Sequence, residues 1–163
     1  MAVALFNTQK QINANADNVT KQLGAQLNQA LRTQRRETLI KAAEVVHRLM
    51  IQCSVRYSMY QSDRPGLDPS TRIITWTDEQ RVAVIQDVDS IGTEMAIVAV
   101  TLEIEGLGDL TVALFDFHQL TRDYVRGQLD EAAIDKIHEE RTVLIDKFAD
   151  ALRADVETNS AAR

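Results

Sequence analysis

A chain of 163 residues with 45% hydrophobic and 26% charged residues has the length and make-up of one globular domain with a real core. It holds no run of 18 or more apolar residues, and its start, MAVALFNTQKQ, lacks a basic n-region and an adequate apolar centre, so neither a membrane span nor a secretory signal is expected. The net charge of −6 is unevenly divided: residues 1–60 carry eight Lys and Arg against three Asp and Glu, whereas residues 61–163 carry ten against twenty-one. Opposite charge in the two halves suits attraction between them, or between copies of the chain, better than it suits binding to a polyanion. The single cysteine, Cys53, rules out an internal disulfide and fits a cytoplasmic setting.

From Thr8 to Tyr60 there is no proline, and apolar residues recur at Ile12, Ala16, Val19, Leu23, Leu27, Ala30 and Leu31. Steps of three and four predict a helix. Its other face is rich in Asn and Gln, including Asn15, Asn18, Gln22, Gln26 and Gln29, and a narrow stripe between neutral polar flanks suits helix pairing. After the polar stretch Arg32-Thr33-Gln34-Arg35-Arg36-Glu37 the stripe resumes at Leu39, Ala43, Val46, Leu49, Met50 and Cys53. The expected organisation is a docking arm over residues 1–31, a globular domain over 32–157 with a loop at 61–70, and a disordered tail at 158–163.

Arg72–Trp76 has the β-branched and aromatic content of a short strand. Thr77-Asp78-Glu79-Gln80 fits a capping box, opening a helix with Val84, Ile85, Val88 and Ile91 inward and a stop at Gly92. In Glu94–Phe117, Val98, Val100, Leu102 and Ile104 alternate with polar residues, and Gly106 and Gly108 stand between them and Leu110, Val112 and Leu114. Period two with glycines at the turn predicts a β-hairpin. The competing reading is one helix from about Asp78 to Glu105, broken at Gly106 and Gly108. A short helix over 118–127 and a last helix with Ile134, Ile137, Leu144, Phe148 and Leu152 inward complete the chain. The fold class expected is helix-dominated α+β: a long N-terminal helix, a short strand, a helix, a β-hairpin and C-terminal helices. An all-α helical bundle is the alternative.

Chemistry is sparsely signalled. Glu44-x-x-His47 and Asp135-x-x-His138 each put an acid and an imidazole on one helical face, as bundle di-metal sites do, yet residues 1–36 contain no glutamate to bridge two metals. Asp87, Asp89, Asp116 and His118 lie near the ends of predicted elements, where oxygen ligands hold Mg²⁺ or Mn²⁺ if they converge; they would serve a small divalent-metal-dependent enzyme. Cys53 belongs to the apolar stripe and reads as a small core residue. No nucleophile elbow or phosphate-binding glycine loop occurs. Arg32, Arg35, Arg36, Lys41 and Arg48 form a basic cluster, but at a sequence pI near 5.0 with little aromatic company a nucleic-acid-binding accessory role is the weaker alternative. The favoured expectation is a non-enzymatic, self-associating assembly subunit or adaptor without catalytic residues, metal or cofactor. It would dock on a second copy or another protein through Leu5, Ile12, Val19, Leu23, Leu27, Arg32, Arg35 and Arg36.

Overall fold

The computed structural model describes residues 2–62 and 76–160, with side chains over 18–62 and 76–154. Four helices account for them: α1 (Ala2–Ser62), α2 (Asp78–Ile104), α3 (Gly108–Val125) and α4 (Ala133–Ser160). The structure is 90% helical, and no strand occurs among the described residues, so the α+β expectation is overturned in favour of the all-helical alternative. No helix among the described residues is long and apolar enough to cross a membrane. The expected strand at 72–76 falls on residues outside the described ones, apart from Trp76. The loop at 61–70 does so too, except that Gln61 and Ser62 close α1. α4 takes in residues to Ser160, and 161–163 of the expected tail lie outside the description.

The hairpin over Glu94–Phe117 is instead the junction of two helices. α2 buries Val84, Val88, Ile91, Met95, Val98 and Leu102, steps of three and four along one face. Ile97, Val100 and Ile104 are apolar too but stand more than half exposed on the opposite side. Apolar residues on both faces erased the helical period and left an alternation that mimics a strand. Gly92 is interior to α2, where a Cβ would stand 2.5 Å from Nε2 of His118, so it lets α3 approach rather than ending the helix.

The true stop is at Gly106. With φ of 76° it takes the left-handed conformation, its N–H donates to the Glu103 carbonyl at 3.0 Å, and the Leu107 N–H donates to the Leu102 carbonyl at 2.8 Å. That pair of bonds is a Schellman motif, which satisfies carbonyls left without partners at a helix end. Gly127, also at φ 76°, closes α3 the same way: Gly127 N–H to Tyr124 O at 3.0 Å and Gln128 N–H to Asp123 O at 2.9 Å. At the start of α2 the capping box forms as the sequence predicts. The Gln80 N–H donates to Thr77 Oγ1 at 3.2 Å, and the Thr77 N–H donates to Gln80 Oε1 at 2.9 Å.

The chain divides into two compact units, Met1–Arg36 and Glu37–Arg163. Within the second, the part of α1 from residue 37 packs with α2, α3 and α4 around one core that includes Leu39, Leu49, Val88, Leu114, Tyr124, Ile137 and Phe148. Burial of each such large side chain is worth roughly 1.5–3 kcal/mol. Neighbouring helices run antiparallel. Thr38, Arg48 and Gln52 of α1 meet Glu105, Glu94 and Asp87 in reverse order. Between α2 and α3, Thr111 Oγ1 donates to the Ala99 carbonyl at 3.1 Å, and Asp89 holds Arg126 further along the same seam.

Candidate functional site

In the unit Met1–Arg36, Val19, Leu23, Leu27 and Leu31 recur every four residues and are 53%, 60%, 61% and 54% exposed. Asn18, Gln22, Gln26, Asn28 and Gln29 beside them are exposed as well. Leu5 and Ile12 continue the spacing within α1, but their side chains lie outside the described residues. Arg36 is exposed, whereas Arg32 and Arg35 are partly covered and already engaged in interactions. The basic cluster is therefore not a free patch. Arg48 in particular forms an ion pair with Glu94, which raises the guanidinium pKa and lowers that of the carboxylate.

The acids proposed for a divalent metal do not gather. Asp87 accepts from Gln52 Nε2 at 3.3 Å on the side toward α1. Asp89 faces α3, accepting from Arg126 Nη2 at 3.0 and 2.9 Å, with Arg122 Nε 3.4 Å away. Asp116 lines the opposite side of α3 with Lys147 and Asp150 of α4. Only His118 adjoins Asp89. Asp116 and His118 both lie on α3, and two residues apart on a helix they point in widely different directions. Among the described residues no group of three or more His, Cys, Asp or Glu is placed to hold a metal ion. Burial pushes the His118 imidazole below its ordinary pKa, against the opposing pull of the Val88 backbone carbonyl and Asp89. Cys53 is fully buried, and burial drives its thiol up to about 12, so it is a packed core residue rather than a nucleophile.

One site was missed from the sequence. Along the seam between α1 and α4 lies a cleft of about 530 Å³ lined by His47, Met50, Ile51, Ser54, Val55, Ser58, Trp76, His138 and Arg141. Both imidazoles of the two acid-x-x-His motifs therefore open on one cavity, from opposite walls, although their acids do not join them there. Trp76 directly precedes Thr77, the N-cap of α2. The Nε1–H of Trp76 and the Nε–H of Arg141 are buried and meet no acceptor among the described residues. His47 also lines the adjoining apolar cleft of about 580 Å³, with Leu39, Ile40, Ile145, Phe148 and Leu152 among its walls. The trace of this site in the sequence is the spacing His47, Ile51, Ser54, Ser58 on α1, a helical strip whose mixed polarity does not separate it from an ordinary solvent face.

Compared with known proteins, the chain matches no protein-family model, no curated protein and no solved structure.

Proposed function

We propose that this chain is a non-enzymatic subunit of a self-associating helical assembly, in which residues 1–31 pair with the same segment of a second copy. The observation that supports this reading is the exposed stripe Val19, Leu23, Leu27 and Leu31. A helix whose aliphatic stripe faces water has lost the burial that normally sustains helices in proteins, and pairing restores it. Charge does not oppose self-pairing: residues 1–31 contain only Lys10, Asp17 and Lys21 as charged groups, and the flanks of the stripe are neutral amides.

The magnitudes make the association conditional. Each side chain is already about half covered, so full burial adds about half of ~1.5–3 kcal/mol apiece, or roughly 6–12 kcal/mol for the eight in a pair. That is comparable with the ~4–15 kcal/mol cost of bringing two chains together. Pairing through these residues alone is concentration-dependent. The basic residues support a nucleic-acid role less, because Arg48 is occupied by Glu94.

Light scattering over a concentration series tests the proposal. The full chain is expected to gain mass with concentration, and the double variant Leu23→Asp/Leu27→Asp to remain monomeric with its thermal transition unchanged. A full chain that is monomeric throughout, or a double variant of unaltered mass, overturns it.

A further inference from the structure

We propose that the N-terminal helices of two copies cross steeply at Gly24, so that their backbones meet where this residue has no side chain and the contact is confined to about Val19–Leu31. The proposal rests on the pairing put forward above and says how the second copy sits on the first.

Gly24 itself is the first observation that carries it, since it stands in the interior of α1. Among the described glycines only Gly106 and Gly127 have positive φ, so Gly24 is not required for its backbone conformation. A Cβ built on it would meet no packed neighbour among the described residues within 4 Å, so the fold of the single chain does not need the space either. Glycine nevertheless costs a helix interior roughly a factor of five against alanine. What it alone permits there is the close approach of another backbone, and the surface around it is where aliphatic side chains stand exposed.

The second observation is the row Val19, Leu23, Leu27 and Leu31, every member of which is more than half exposed. Steps of four overshoot a helical turn, so the row climbs obliquely as a ridge, unlike the alternating three-four seam of a coiled coil. Ridges of this kind interdigitate at about −50°. Helices of ~10 Å diameter crossing at that angle touch over about 15 Å, or some ten residues. Near the middle of the row, in the adjoining row Thr20, Gly24 and Asn28, Gly24 leaves a notch beside Leu23 and Leu27 that a leucine of the second copy fills. Charge agrees with a second copy as the occupant. Between Val19 and Leu31 the only charged residue is Lys21, so the face meets its own copy almost neutral. The crossing also carries the two Arg36 positions apart, to about 15 Å with the helices in the same sense and further in the opposite sense, beyond the ~8 Å screening length of physiological salt. A parallel seam would hold them side by side.

Gly24→Ala tests the proposal in the full chain, because alanine acts with opposite sign on the helix and on the contact. At concentrations where the protein is monomeric the variant is expected to be the more helical, with amide exchange over residues 18–36 slowed by up to about fivefold. Across a concentration series its dissociation constant, read by sedimentation or light scattering, is expected to rise at least about fivefold, since the added methyl holds the backbones apart, and Gly24→Leu to remain monomeric. Ile12→Asp, outside the crossing, is expected to leave the constant within about twofold, whereas Leu27→Asp raises it at least about tenfold. A parent chain that never associates overturns the pairing and this inference together. A parent chain that associates, with Gly24→Ala pairing as well or better, or with Ile12→Asp as damaging as Leu27→Asp, overturns the crossing alone.

Discussion

His118 shows how one side chain couples two helices to the proton concentration. Its imidazole packs over Gly92 of α2, where no other residue leaves space, and burial there lowers its pKa below the ordinary 6.5. Below about pH 6.5 the unfolded chain therefore binds a proton that the folded one resists, and stability falls as pH drops. Above that pH the contribution is fully present. Because the imidazole is only partly buried, the effect is moderate. Urea unfolding between pH 7.5 and 5.5, a window above the titration of ordinary carboxylates, is expected to show a falling midpoint, and His118→Gln to flatten that fall. An unchanged slope in the variant would assign the acid sensitivity elsewhere. Cys53, more deeply buried, carries no such switch, since its thiol stays protonated throughout this range.

At the scale of the element, the α2–α3 turn is decided by backbone conformation. Gly106 has no neighbour that a Cβ would touch, so only its positive φ restricts substitution there. Gly106→Ala is expected to cost about 1–2 kcal/mol, the penalty of a left-handed alanine, and Gly106→Asn less. Both should appear as a lower urea midpoint at unchanged denaturant dependence. Gly127 differs, because a Cβ there would also stand 3.0 Å from Nη2 of Arg56, whose guanidinium lies over the Tyr60 ring. These glycines are visible in the sequence as helix punctuation, and so is the capping box at Thr77. What residue pattern could not distinguish was Gly92, a packing glycine, from Gly106, a terminating one: the difference lies in His118, 26 residues further on, and in nothing local.

On the scale of the whole molecule, the two units differ in what holds them helical. Glu37–Arg163 contains a shared core, so backbone amides around Leu49, Leu102, Leu114 and Ile137 should exchange only through global opening. The segment 18–36 displays its largest aliphatic side chains to water, and at concentrations where the chain is monomeric its amides are expected to exchange as those of an isolated helix do, orders of magnitude faster. Hydrogen exchange read by mass spectrometry checks this, and slowing of that segment alone at high concentration would locate the pairing surface.

The sequence by itself determined the long first helix, the last helix with its inward Ile134, Ile137, Leu144 and Phe148, the cap at Thr77, and the positive φ at Gly106. All of these are written in spacing or in the conformational range of one residue. The tertiary structure alone decided that Glu94–Phe117 is helical, because packing chose Val98 and Leu102 for the core over Val100 and Ile104, a choice that four similar aliphatic side chains cannot encode locally. It also decided that His47, Trp76, His138 and Arg141 share one cleft, since a contact between residues far apart in the chain depends on how the helices lie against each other.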